Sequence, residues 1–374
     1  MAQRCVVVGA GVIGGCLALR LAEAGIEVTL LDQDQPGQAT TKWSFAWLNS
    51  NDKAPRDYHE LNHAGLPAWA ALARQLGGAA WYRPAGNLEW PATAAGHTKL
   101  IARVARLAGW GYPARMISAA EAAELEPALR LPAGVPGVAW FPAEGYLLTG
   151  PLIGQLTEAA VHRGVTVLTG ARGQVTGFLP DGGLRTAAGQ QIPADVVLCC
   201  AGRWTPELAQ LAAPASQVPL VRWQTPGAAA PGLVVQAGPV SPDGPARMVH
   251  APTVYLRPHG SGLVHLEAPD AAVDLHTPDT ELRRWAAELL HRARQVSRGL
   301  DGAAVAGYQV CVRPMPADGR SIIGWLPGAR RVYLALTHSG VTLAAHLAQL
   351  ITAELVTGTA PAELRPYRPT RFHT

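Results

Sequence analysis

The sequence predicts an α/β chain in which a mostly parallel sheet is joined to an α+β domain built on an antiparallel sheet. Three observations lead there. An apolar strand runs into a glycine triplet and a helix near the N-terminus, and strand–helix alternation returns at the C-terminal end. Between them lie β-rich stretches punctuated by Pro and Gly.

Val6, Val7 and Val8 are β-branched and apolar, as a buried parallel strand requires. Gly9, Gly11 and Gly14 follow in the spacing GxGxxG: the first permits a tight turn, the second a close backbone approach to a pyrophosphate, and the third close packing of helix on strand. The helix over 12–24 ends at Gly25, a suitable left-handed cap. Its free N–H groups and positive dipole end face the phosphates. The next strand, 27–32, closes on Asp32, whose carboxylate suits a ribose 2′-hydroxyl. Strand, motif, helix, strand and acid in this order predict a Rossmann-type dinucleotide site.

The polar stretch 33–51, with Thr40, Thr41 and Ser44, reads as a loop over that cofactor. Apolar residues at three- and four-residue steps predict a helix over 56–76. A short strand at 87–90 follows, then a helix over 118–125 with Ser118 and Glu121 as a capping box. A helix at 152–163, broken by Gly164, leads to a strand at 165–168. The strand 196–202 ends on small residues, Gly202 last, where backbone passes close to a cofactor. Residues 218–266 suit an antiparallel sheet, 278–296 a helix, 332–336 a strand and 340–356 a last helix opened by Gly340. The expected division is a discontinuous nucleotide domain (1–42, 145–213 and 315–374) interrupted by substrate-domain segments 43–144 and 214–314.

At 374 residues, 48% hydrophobic and 16% charged, the chain is long enough for two cores and shows no sign of disorder. Its apolar runs read as too short to span a bilayer. With a first strand at about Arg4, no signal peptide is expected, and the cytoplasm is the default. The net charge of +4 comes from dispersed arginines without an aromatic-interleaved basic patch, so no nucleic-acid partner is expected. Arg283, Arg284, Arg292, Arg294 and Arg298 gather on one helix, where Glu281 and Glu288 suggest a solvated face. The five cysteines form no CxxC pair and suit a reduced compartment. No metal cluster, Ser/His/Asp arrangement or phosphate-transfer loop stands out.

Four separated segments make the chain similar to the D-amino acid oxidase, glycine oxidase and sarcosine oxidase superfamily: the N-terminal motif with Asp32, Leu198–Trp204, Val254–Leu266, and Val312–Gly324 followed by Thr337–Leu343. An NAD-dependent dehydrogenase would need only the first. The resemblance implies FAD, bound noncovalently or through Cys311, whose distance from Asp318 matches a flavin-bonded cysteine of sarcosine oxidases. It implies a small amine substrate carrying a carboxylate, oxidised at its C–N bond to an imine, with dioxygen reoxidising the flavin to give hydrogen peroxide. Arg313 and Tyr255 would then bind the carboxylate, and Thr342 the flavin C2 carbonyl. Each has a plainer alternative: an Arg313–Asp318 ion pair, a sheet role for Tyr255, a helix-terminal threonine. His265 lies near the position of a cationic lysine in sarcosine oxidases; a protonated imidazole could stabilise superoxide, or the residue could face solvent. A same-fold dehydrogenase feeding a quinone or carrier protein, and a nonredox interaction module, are the competing readings.

Overall fold

A computed structural model describes residues 4–78, 80–180 and 182–372. The first sheet runs Ile322–Trp325, Val332–Leu336, Val196–Cys199, Arg4–Val8, Glu27–Asp32, Thr166–Thr169, parallel throughout except for its first strand. Val8 pairs with Leu31 on one side and Cys199 on the other, so Gly9, Asp32 and Cys200 emerge side by side at the carboxyl edge. That edge is where open α/β sheets bind ligands.

The helix Val12–Glu23 packs between Thr149–His162 and Gly340–Thr357, and Arg56–Gln75 packs on the latter. Helix Gly340–Thr357 is long and apolar enough, by length and composition alone, to cross a membrane, a test that a buried core helix also passes. Here Leu343, Leu347 and Ile351 are buried among its two helical neighbours. The contact with Arg56–Gln75 is close because residue 65 is glycine: a Cβ there would sit 2.2 Å from the Thr342 carbonyl oxygen.

The second sheet has eight strands, in the order Ala304–Val312, Pro231–Gly238, Leu263–Glu267, Tyr255–Gly260, Met248–His250, Asn87–Glu89, Val138–Phe141, Arg115–Ile117. All neighbours are antiparallel but one. Met248–His250 pairs parallel with Asn87–Glu89, and this single ladder joins the two segments that sequence reading placed on either side of residues 145–213. The helix Asp279–Val296 covers one face through Leu289, Leu290 and Ala293. On its outer side, Arg283, Arg284 and Arg292 pair with Asp279, Glu281 and Glu288, as a solvated helix face should.

Several elements differ from the sequence reading. The helix Ala94–Gly109, capped by Thr93 on the Gly96 N–H, was not expected, nor were the strands Arg115–Ile117 and Val138–Phe141. At Ala119–Leu125 only half of the capping box forms: Ser118 accepts from the Glu121 N–H, while the Glu121 carboxylate turns to Arg115.

Candidate functional site

A cavity of about 850 Å³ runs from the carboxyl edge of the parallel sheet to one end of the antiparallel sheet. Of the residues singled out from sequence, Gly9, Gly11, Asp32, Thr41, Ser44, Gly202, Tyr255, Cys311, Arg313, Gly340 and Thr342 line it. Gly14 and His265 do not.

At the parallel-sheet end the lining is largely backbone. Gly9 has φ +104°, and a Cβ on it would meet the Cys200 carbonyl oxygen at 2.5 Å. Gly14 serves packing: its Cβ would fall 1.8 Å from the Gly9 carbonyl oxygen, so only glycine lets the helix start this close to the strand. The helix carries no acid in its first turn and its N-cap, Gly11, has no side chain to occupy the free N–H groups. Thr41 Oγ1 accepts the Val12 N–H at 3.1 Å and ties the 33–51 loop to this terminus. An anion is what such a terminus accommodates. Asp32 is held by two main-chain donors, Ala10 N–H at 2.7 Å and Asp34 N–H at 2.9 Å. Burial raises its carboxyl above the ordinary range, and these bonds oppose the shift. Two of its roughly four lone-pair positions stay open for hydroxyl donors. A narrow backbone cradle, a helix terminus free of acidic side chains and an oriented carboxylate together fit a dinucleotide.

Along the middle of the cavity, Ser44 Oγ accepts the Ala46 N–H at 2.9 Å. Thr342 Oγ1 donates to the Trp47 carbonyl at 3.2 Å and accepts the Asn49 N–H at 3.3 Å, so its hydroxyl hydrogen is already engaged. What Gly340–Thr357 offers the cavity is therefore a second N-terminus without an acid in its first turn or a side-chain cap. Cys311 is buried at the end of Ala304–Val312, its thiol directed to the Thr40 carbonyl at 3.8 Å. Burial and the nearby Glu267 push the thiol up to about 12, against a smaller opposing pull from Arg313. The thiolate that a flavin–sulfur bond needs is thus disfavoured.

The far end is made of side chains. Arg313 is half-buried and donates through Nε to the Ala230 carbonyl at 3.1 Å and through Nη2 to the Ala229 carbonyl at 3.3 Å. No carboxylate pairs with it among the described residues. The alternative partner, Asp318, bonds Arg371 at 2.8 Å instead. Two main-chain acceptors hold the guanidinium still while leaving the other donors of its fork free. The Tyr255 hydroxyl has no hydrogen-bond partner among the described residues, and burial raises the phenol, which keeps it a donor.

His265 departs from both sequence readings. It is fully buried, neither facing solvent nor lining the cavity. Its Nδ1 lies 2.5 Å from Arg257 Nη2 and its ring stacks on His259 at 3.8 Å. Burial and the Arg257 charge drive its pKa far down, which disfavours a protonated imidazole there. Position along the strand is the cause. Tyr255 pairs with Glu267 and Arg257 with His265, so all four share a face, but the second pair sits one pleat further along, about 7 Å.

Sequence reading missed Glu267 and His250, which both line the cavity. Burial pushes the Glu267 carboxyl up to about 7, with Arg313 and Arg257 opposing. The period of two linking His265 to Glu267 was the available signal for one; nothing local marked His250.

With this geometry in view, comparison with known proteins identifies the class. The DAO family of FAD-dependent oxidoreductases matches residues 4–354, and the chain belongs to it. The cofactor is FAD and the protein is an oxidoreductase. The oxidoreductase YurR of Bacillus subtilis (strain 168), itself uncharacterized, is 26% identical across 97% of this chain and 98% of its own. Among solved structures, L-proline dehydrogenase from P. horikoshii superposes with a TM-score of 0.84 at 18% identity, covering 100% of this chain and 98% of that one. Glycine oxidase from Geobacillus kaustophilus gives 0.82 at 22%, covering 99% of each. These likenesses establish the shared fold.

Proposed function

We propose that the protein oxidises the C–N bond of a small amino acid or N-substituted amino acid to the imine, which water hydrolyses, and that dioxygen is the terminal oxidant. The observation that carries this reading is Arg313: a guanidinium that forms no ion pair among the described residues, fixed by two carbonyls, in the same cavity as the dinucleotide cradle. A carboxylate is its natural complement, by a charge-assisted two-point contact.

FAD, when bound, supplies the two-electron acceptor that no side chain can provide. The chain's own residues hold it and place the substrate. Gly9, Gly11 and the helix Val12–Glu23 present backbone to the pyrophosphate, Asp32 receives the ribose, and the N-terminus of Gly340–Thr357 favours negative charge on whatever ring it faces. Arg313 and Tyr255 anchor the carboxylate, so that the α-carbon is positioned rather than attacked by a strong base. Phe45 and Trp47 supply apolar wall that limits water in the cavity.

An anaerobic screen of D-amino acids, N-methyl amino acids and cyclic imino acids against the yellow holoenzyme tests the reading. Bleaching of the flavin by at least one class is expected, followed by rapid return of colour when the reduced enzyme meets air in a stopped-flow instrument. Bleaching with slow return in air but fast return with a quinone would replace dioxygen by a carrier. A flavin that stays oxidised with every carboxylate-bearing amine would sink the proposal.

A further inference from the structure

Behind the Tyr255 wall, a polar relay crosses from one strand to the next. Glu144 is fully buried. One of its oxygens, Oε2, accepts Trp47 Nε1–H at 2.9 Å, Asn87 Nδ2–H at 3.1 Å and Asn51 Nδ2–H at 3.2 Å, and Oε1 accepts the Tyr112 hydroxyl at 2.7 Å. The indole N–H of Trp47 can only donate, so Oε2 serves here as an acceptor. Asn87 must therefore keep its NH₂ toward Glu144, which turns its Oδ1 to His250 Nδ1 at 2.6 Å. An amide oxygen only accepts, so the hydrogen of the imidazole sits on Nδ1 and Nε2 is a bare lone pair.

Among the described residues that lone pair has no partner. Nε2 is buried without a hydrogen bond, on a ring that is 95% buried, lines the cavity and packs 4.2 Å from Trp47 and 4.5 Å from Tyr255 between ring centroids. A buried acceptor left unmade is costly, and an N–H brought in by a ligand removes the cost.

We propose that His250 Nε2 receives an N–H of the substrate's amine, with Asn87 and Glu144 as positioning residues that fix the tautomer. The site would then recognise both ends of an amino acid, carboxylate at Arg313 and amine at His250. This deepens the amino acid reading above and rests on it. Burial, with a smaller contribution from Arg103, drives the imidazole down to about 3, so the ring does not oppose an incoming ammonium.

Two probes separate this inference from the reading beneath it. The amino acid 2-aminoisobutyrate has no α-hydrogen to lose, and 2-methylpropanoate is the same carboxylate without the amine. Each is titrated against the holoenzyme by the perturbation of the flavin spectrum. The wild type should bind the amine-bearing ligand about ten-fold or more tightly, and His250→Phe should erase most of that preference while leaving 2-methylpropanoate within about two-fold. A preference that survives in His250→Phe, or that vanishes only in Glu267→Gln, overturns the proposal. If neither ligand perturbs the wild-type flavin, the amino acid reading fails and takes this inference with it.

A measurement on the wild type guards against a variant that does not fold. In ¹⁵N-histidine holoenzyme, the His250 signal should report the Nδ1–H tautomer from about pH 5 to pH 8, and Asn87→Leu should let the Nε2–H form appear. An Nε2–H tautomer in the wild type, or titration near the ordinary histidine value, would overturn it.

Discussion

At the nucleotide end of the cavity the strand Arg4–Val8 and the helix Val12–Glu23 present backbone, and the residues that matter lie close together along the chain, from Gly9 to Asp32. At the other end, Arg313, Tyr255, Glu267 and His250 present side chains from four strands or strand ends spread across the chain. The first end works by removing side chains, because a pyrophosphate needs N–H groups and space. The second works by adding charge and hydrogen-bonding capacity at points set by sheet register. Substitutions at the first should act on the cofactor and the fold, and at the second on the ligand alone.

The largest effect should come from Gly14→Ala. A Cβ 1.8 Å from the Gly9 carbonyl oxygen forces strand and helix apart, at a cost of about 3 kcal/mol or more. Urea unfolding should show the loss, and the purified protein should have lost its yellow colour. A stable yellow variant would mean that the close approach of helix to strand is dispensable.

Arg313→Ala should leave flavin content intact and lower kcat/KM for a carboxylate substrate by about thirty-fold or more, since losing a charge-assisted partner in a desolvated site costs roughly 2 to 5 kcal/mol. Arg313→Lys should recover only part, for want of the fork. Steady-state kinetics on the folded, loaded variants decides this, and unchanged values would return Arg313 to a structural role.

Asp32→Ala removes a carboxylate that already orients the turn through Ala10 and Asp34. Retention of FAD should weaken by about ten-fold or more, as expected for a hydrogen bond to a charged group. Equilibrium dialysis against FAD measures it.

A smaller effect is expected from Glu267. Its carboxyl ionises at about 7 in the fold against an ordinary 4.5, so the folded chain holds the proton more tightly and this group's contribution to stability is lost as pH rises through about 7. A carboxylate bound beside Arg313 adds negative charge and favours the protonated form further. Affinity for 2-methylpropanoate should therefore fall by up to about ten-fold per pH unit above pH 7, and Glu267→Gln should flatten the dependence. Affinity rising with pH would show that Glu267 does not face the ligand.

Least should follow from Cys311→Ala. With the thiol raised to about 12 and held at the Thr40 carbonyl, noncovalent FAD is the favoured mode. Acid precipitation should release the flavin to the supernatant from wild type and variant alike. Colour that stays with the wild-type pellet and leaves the variant's would establish the covalent bond.

How legible each end was follows from these distances along the chain. Gly9, Gly11, Gly14 and Asp32 sit on two successive strands and the helix between them, so their spacing alone places them at one edge, and the structure puts them there. Arg313 and Tyr255 were singled out only through likeness to a family, since neither lies in a local pattern that tells a ligand-binding residue from a surface or core one. His265 was misplaced because the alternation of a strand gives the face but not the position along it: the right face carried Glu267 to the cavity and His265 one pleat beyond. His250 left no trace in the sequence at all, because the role proposed for it depends on Asn87 and Glu144, which the fold brings to it from 163 positions away in one case.

By itself, then, the chain's sequence determined what depends on neighbours within a few tens of residues: the alternation of elements, the glycine cradle, the acid at the second strand, and the helix termini that face the cofactor. Tertiary structure alone decided which side chains share the substrate end, because a parallel ladder between Met248–His250 and Asn87–Glu89 and an antiparallel register between Tyr255 and Glu267 are agreements between distant segments. Such pairings are selected by the burial of whole sheet faces rather than by any local run of residues.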